Sequence, residues 1–187
     1  MNKKGDFQLS FQFIFSIILI AVVFFVGFYV IKIFLDQTEK IKLLDFTEQL
    51  KNSDGGLLDI WRQDSASQII SLPISNKIEY VCFANFSSCS GITPYDSELS
   101  SFCKNITYSY RSSTEPYNMF FYPLGRAEKY GVKSAQAISC NNAGETLKSC
   151  VAINSTANCI KVVDGRVKMK LLKENETSKI QILPVLT

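Results

Sequence analysis

The sequence predicts an α+β fold: a long N-terminal helix, in part transmembrane, followed by a β-rich head held together by disulfides. Three observations lead to this prediction. A run of 21 uncharged residues, Phe11 to Ile31, begins ten residues from the start of the 187-residue chain. All six cysteines follow residue 81, and short runs of β-branched and aromatic residues follow residue 65. Each predicted element rests on its own pattern.

The uncharged run has the length and composition of a membrane-spanning helix. Phe, Ile, Leu and Val fill 16 of its 21 positions, and at 1.5 Å per residue it is about 30 Å long, like a bilayer core. A cleavable signal peptide is the alternative, because Lys3 and Lys4 precede the run. Signal peptides have apolar regions of about 7 to 15 residues and a small-residue cleavage site. The length favours an uncleaved helix over residues 8–35, after a short cytoplasmic N-terminus, residues 1–7.

The helix is predicted to continue beyond the membrane as an amphipathic stalk over residues 36–56. This segment has no Gly or Pro before residue 55 and places apolar residues near helical spacing. Two consecutive glycines, Gly55 and Gly56, then favour a helix end near Asn52. The apolar positions of this segment are Ile41, Leu43, Leu44, Phe46 and Leu50.

The head, residues 57–187, opens with a short helical or turn segment at Leu57 to Gln63 and then becomes β-rich. Asp164-Gly165 predicts a two-residue hairpin turn, because both positions of a type I′ turn need positive φ. The Ser-, Thr- and Tyr-rich segment from Ser87 to Pro116 is predicted to be a long loop or insertion. The predicted strands are Ile69 to Leu72, Ile78 to Phe83, Met119 to Tyr122, Val132 to Ser139, Cys159 to Val163, Val167 to Leu172 and Lys179 to Leu183.

The cysteines are best explained as disulfides in an oxidising compartment. Six cysteines allow 15 pairings, and their spacing does not choose among them. Zinc binding and reduced structural thiols are the alternatives, but the chain has no C-x-x-C pair and no histidine. Disulfides therefore predict an extracytoplasmic head. The disulfide candidates are Cys82, Cys89, Cys103, Cys140, Cys150 and Cys159.

Four Asn-x-Ser/Thr sequons, all in the cysteine-bearing region, are candidate glycosylation sites and favour the same topology. The positive charges near the helix slightly favour the opposite orientation, since more lysines follow the run than precede it. Long domains cross membranes with little regard to charge, so the cysteines and sequons decide the prediction. The candidate asparagines are Asn85, Asn105, Asn154 and Asn175.

Composition and motifs predict a protein that is not an enzyme and has no cofactor or metal. The net charge is +3, from 20 basic and 17 acidic residues without long blocks of one sign, so we expect no nucleic-acid partner. The absence of histidine excludes Ser-His-Asp and Cys-His nucleophile activation. No phosphate-binding glycine loop is present, and no small-molecule substrate is indicated. The aromatic residues between Tyr108 and Tyr122 favour core packing over a sugar- or peptide-binding surface.

The N-terminus resembles the signal of archaeal type IV pilins and archaellins. The chain has Lys3-Lys-Gly5, then Gln8-Leu-Ser10-Phe-Gln12, and then the apolar run. This order is similar to the signal of those proteins, in which basic residues and a glycine precede a prepilin-peptidase cut, and Q-x-S-x-E leads into a hydrophobic helix. The resemblance covers roughly residues 3 to 50. It implies a processing region at Gly5 and Gln8 and an extracellular, often glycosylated, β-rich head. The chain departs from this pattern at two points: Asp6-Phe7 precede Gln8, and Gln12 replaces the usual glutamate.

From these observations we expect a single-pass cell-surface protein of pilin-like architecture with a structural or interaction role. The alternative is a type IV pilin-like filament subunit for adhesion or motility, and a ligand-sensing receptor head is a third interpretation. The expected partners are the lipid bilayer and other copies of the chain or pilin-like helices. The sequence identifies neither a ligand nor the disulfide connectivity.

Overall fold

A computed structural model describes the backbone of residues 3–84, 91–93, 101–110, 117–138, 151, 156–174 and 179–185. The chain divides into two compact units, Met1–Glu39 and Lys40–Thr187. A long helix, α1, covers Lys3–Asn52 and so belongs to both. The predicted α+β class is confirmed: an apolar N-terminal helix is followed by a largely antiparallel sheet with a disulfide.

The first unit consists of the N-terminal part of α1. Every side chain described from Phe11 to Gln37 is exposed, and the exposed fraction reaches 78 % at Phe25. The hydroxyl of Ser16 donates to the Gln12 carbonyl, and that of Thr38 donates to the Phe34 carbonyl, each at 2.9 Å. The polar side chains Ser16 and Thr38 therefore satisfy their donors within the helix itself.

The second unit begins with the last turns of α1, and only one stripe of this segment is buried. Leu43, Phe46 and Leu50 are completely buried, at the i, i+3, i+7 spacing of one helical face. Ile41 and Leu44 are exposed by 64 % and 50 %. The predicted amphipathic stripe is therefore narrower than expected, because two of its five residues point away from the core.

Helix α1 ends at Asn52, as its sequence indicated. Gly55 has a φ of +75°, a conformation that a side chain would strain, and the Asp59 carboxylate accepts a hydrogen bond from its N–H at 3.0 Å. A short helix, α2, follows at Leu57–Arg62 and buries Leu57 and Ile60. The predicted helical segment after the glycines is confirmed.

The strands of the head form one mixed sheet, with the order β1-β7-β6-β2-β4-β5 among the described residues. β3 pairs in parallel with β6, and β8 pairs with β7, while the other pairings are antiparallel. A 3₁₀ helix covers Ala127–Tyr130. The strands are β1 Ala66–Pro73, β2 Tyr80–Phe83, β3 Gly91–Thr93, β4 Met119–Tyr122, β5 Ala135–Gln136, β6 Thr156–Val163, β7 Arg166–Lys173 and β8 Gln181–Pro184.

The β6–β7 hairpin has the predicted turn. Val163 pairs with Arg166, and the two residues between them, Asp164 and Gly165, have φ values of +50° and +67°. Both values lie in the left-handed region that a type I′ turn requires. This turn aligns the apolar residues of the two strands on one face.

Two hydrophobic clusters lie on opposite faces of the sheet. The α1 face packs Val81 and Phe121 with the buried stripe of α1, and the Phe46 and Phe121 rings meet edge to face at 6.1 Å. The opposite, α3 face packs Phe120 against a helix, α3, at Phe102–Tyr110. Helix α3 and β3 lie where the sequence predicted a loop. Of the predicted strand over Val132 to Ser139, the described residues 132–138 contain only the two residues of β5.

Candidate functional site

The exposed surface of α1 is the first candidate site. Within the described residues, one helix is long and apolar enough to cross a membrane, and the apolar window of that helix is entirely unburied. Soluble proteins rarely expose continuous apolar surface of this size. The surface therefore fits an apolar environment, either lipid or other helices.

The predicted processing region lies in the first turns of this helix. The backbone of Gly5 and of Gln8 is helical, whereas the prediction began the helix near Gln8. The side chains of residues 3–10 are outside the described part of the structure. Processing at this region stays a prediction.

The disulfide between Cys82 and Cys159 ties two neighbouring strands of the head. The two residues lie directly opposite each other on β2 and β6, and both side chains are buried in the cluster on the α3 face. Because the bond joins positions 77 residues apart, it removes about 4.5 kcal/mol of chain entropy from the unfolded state. It is therefore a substantial part of the stability of the head.

Cys103, on α3, also forms a disulfide, and no free thiol occurs in the described part of the chain. Cys82, Cys103 and Cys159 are thus disulfide-bonded as predicted. The other three predicted disulfide residues, Cys89, Cys140 and Cys150, lie outside the described residues.

Of the four candidate glycosylation sites, Asn105 can be placed in the structure. It is exposed on α3, and its amide Nδ2 is 3.4 Å from the Ser101 hydroxyl. The amide is therefore accessible from solvent. Asn85, Asn154 and Asn175 lie outside the described residues.

An open cleft of about 400 Å³ lies beside the β6–β7 turn. Two carboxylates, Glu79 and Asp164, and the Lys161 ammonium line it, so its chemistry is polar and of mixed charge. Within the described residues, no group of three metal-ligating side chains could hold an ion. The cleft is lined by Asn76, Ile78, Glu79, Tyr80, Lys161, Val162, Asp164 and Gly165.

The aromatic residues near the end of β4 mainly build the core. Phe120 and Phe121 are completely buried on opposite faces of the sheet, while Tyr117 and Tyr122 are half-buried. Phe102 meets Phe120 and Tyr122 edge to face at 6.2 Å and 6.0 Å. These contacts agree with the preferred interpretation as core for the aromatic residues of β4, while the side chains of Tyr108 and Tyr110 lie outside the described part of the structure.

Comparison with known proteins finds no similar family, relative or fold. No family model matches the chain, no curated protein matches it, and no solved structure matches the fold. Functional conclusions therefore depend on the chemistry and geometry of the chain's own residues.

Proposed function

We propose that this chain is a single-pass membrane-anchored cell-surface protein, pilin-like in architecture, whose head has a structural or interaction role and no catalytic one. The exposure of every apolar side chain described between Phe11 and Leu35 carries the proposal. The 16 large apolar residues of the run together favour bilayer insertion by about 5 to 10 kcal/mol on the insertion scale. In water the same surface would promote aggregation.

The disulfides support an extracytoplasmic head. The Cys82–Cys159 bond and the bonded Cys103 belong to the second unit, and disulfides persist in oxidising compartments. The head is thus proposed to lie on the outer side of the membrane, with the few residues before α1's apolar run on the inner side.

Membrane extraction and protease digestion of intact cells test this topology. We expect the chain to stay in the membrane fraction after alkaline carbonate treatment, and external protease to remove the head. Release by carbonate would contradict the anchor. Complete protection of the head in intact cells, with cleavage after lysis, would contradict the orientation.

A filament subunit is the second candidate, favoured by the continuity of α1 as far as Asn52. Ile41 and Leu44 remain exposed in the second unit and offer apolar contacts to a neighbouring helix. Intact-mass measurement of the native protein distinguishes the two candidates. Loss of the first five or seven residues would favour the filament subunit, and retention of Met1 to Phe7 would contradict it.

A further inference from the structure

The part of the sheet's α3 face that β7 and the end of β6 form carries exposed or half-exposed basic side chains. On β7 the apolar residues Val167, Met169 and Leu171 are buried on the α1 face. Because side chains alternate along a strand, the intervening basic residues emerge on the opposite side, and Lys161 of β6 joins them. We call this surface the basic face: Lys161, Arg166, Lys168 and Lys170.

Three of these cations have no acidic partner among the described residues. Lys161 and Lys168 are exposed and Lys170 is half-exposed, and within the described part of the chain none of the three side chains forms an ion pair or hydrogen bond. Arg166 is held in place: its Nε donates to the Ser71 hydroxyl at 3.1 Å and its Nη2 to the Ser71 carbonyl at 2.8 Å. Glu79 and Asp164 line the cleft beside Lys161, so the positive charge of the basic face depends mainly on Arg166, Lys168 and Lys170.

Two exposed aliphatic residues lie among these cations. Ile69 is directly opposite Lys170 on β1, and Val163 is directly opposite Arg166. Their side chains are 55 % and 58 % exposed, in a head whose other large apolar residues are mostly buried. Cross-strand neighbours lie about 5 Å apart, so each aliphatic residue lies beside a basic one.

We propose that the basic face is a docking surface for an anionic lipid membrane. A sheet face presents its side chains in a shallow, extended array, so several lysines can meet lipid headgroups at once. Near such a surface each lysine strengthens binding about fivefold, while Ile69 and Val163 enter the boundary between headgroups and acyl chains. This role goes beyond the proposed anchoring, which depends on α1 alone.

The composition of the face favours lipid over the other polyanions. Proteins that bind single-stranded nucleic acid stack bases on aromatic side chains, and the segments Ala66–Pro73 and Lys161–Lys173 contain no aromatic residue. Exposed aliphatic residues beside cations are instead typical of surfaces that lie on a bilayer.

Capture of vesicles by the full chain in neutral nanodiscs tests the proposal. The chain is inserted into phosphatidylcholine nanodiscs, which leave the head accessible, and mixed with vesicles of phosphatidylcholine with or without phosphatidylglycerol. Co-sedimentation of the nanodiscs is then measured at low and at physiological ionic strength. We expect capture only by the phosphatidylglycerol vesicles, and weaker capture at higher salt because the ions screen the lysines.

Matched variants locate the binding surface. Lys168→Gln with Lys170→Gln removes two charges from the basic face and should weaken capture about 25-fold, the product of two fivefold terms. Lys104→Gln with Lys129→Gln removes two exposed charges elsewhere on the head and should have little effect beyond the change in net charge.

A second pair of variants tests the role of lipid insertion. Ile69→Ser with Val163→Ser should weaken capture several-fold, whereas Ile41→Ser with Leu44→Ser, an exposed pair on α1, should not. Nanodisc incorporation and Trp61 fluorescence of each variant show separately that the anchor and the head are intact.

Three results would overturn the proposal. Equal capture by the two lysine double variants would show that the basic face does not bind the vesicles. Equal capture of neutral and anionic vesicles would show that the binding does not depend on anionic lipid. Binding of single-stranded DNA or of an acidic polysaccharide, without capture of any vesicle, would assign the face to a different polyanion.

Discussion

The two halves of helix α1 place chemically similar residues in opposite environments. Phe25, in the first half, is 78 % exposed, while Phe46, in the second, is completely buried. The first half is apolar on every side, which is typical of a helix that an apolar environment surrounds completely. The second half is apolar on one stripe, which the sheet covers. Continuous helical structure therefore says little about environment; the distribution of apolar residues around the helix axis decides it.

Charged residues introduced into the first half of α1 should have the largest effect, because they oppose its insertion into the membrane. Ile20→Lys with Phe24→Lys places two lysines in the apolar run and should cost about 5 to 7 kcal/mol of insertion free energy, at roughly 2.5 to 3.5 each. Carbonate extraction of membranes measures this loss as release of the variant chain from the membrane fraction. The matched variant Ile41→Lys with Leu44→Lys changes exposed residues of the second half and should remain membrane-bound; equal release of both variants would contradict the account.

Removal of the Cys82–Cys159 bond should give the next largest effect. The bond belongs to the unit that buries the second half of α1. Changing both cysteines to Ala should lower the free energy of unfolding of the head by about 4.5 kcal/mol, the chain entropy of the closed loop. Urea unfolding followed by the fluorescence of Trp61, the only tryptophan, measures this. An unchanged urea midpoint would show that the bond adds little to the stability of the head.

A pair of phenylalanine substitutions tests the two halves directly. Phe46→Ala removes a buried ring that contacts Phe121 and should destabilise the head by about 4 kcal/mol, since it loses apolar burial and leaves a cavity. Phe25→Ala shortens an exposed side chain and should leave the urea midpoint of the head unchanged. If both substitutions lowered the midpoint equally, the assignment of the two halves to separate environments would be wrong.

A smaller loss of stability is expected where strand β7 contacts helix α2. The Lys173 ammonium donates to the carbonyls of Trp61 and Gln63 at 2.7 Å and 2.6 Å, at the C-terminal end of α2, where cations are favourable. Lys173→Met should therefore cost about 1 to 2 kcal/mol in the same urea experiment. Lys168→Met, on the same strand but without a described partner, is the control and should cost nearly nothing.

Local sequence patterns were sufficient to predict much of the fold. The helix end at Asn52 followed from the two glycines, and the hairpin turn followed from Asp164-Gly165. The strand Met119 to Tyr122 was predicted with its observed bounds. Each of these features depends on residues close together in the chain, so a local pattern contains the necessary information.

Features that depend on distant partners could not be predicted in the same way. Helix α3 was missed because Thr, Ser, Asn and Tyr are weak helix formers, and burial of Phe102 and Ile106 against the sheet stabilises it. Ile41 and Leu44 fitted a helical stripe, and only the position of the sheet shows that they lie outside it.

The basic face also depends on pairing that the sequence does not specify. The sequence predicted a strand from Val167 to Leu172, which contains Lys168 and Lys170. The pairing of Lys170 with Ile69, on a strand about a hundred residues earlier in the chain, could not be predicted, because strand order cannot be read from local sequence.

Footprinting with a carbene-generating lipid tests the central claim most directly. The full chain is reconstituted in bilayers that contain the photoactivatable lipid, and the labelled residues are located by mass spectrometry. We predict labels on side chains between Phe11 and Ile31 and none on Leu43, Phe46 and Leu50, because lipid surrounds the first half of α1 and the head core encloses the second. Equal labelling of the two halves, or an unlabelled first half, would contradict the account.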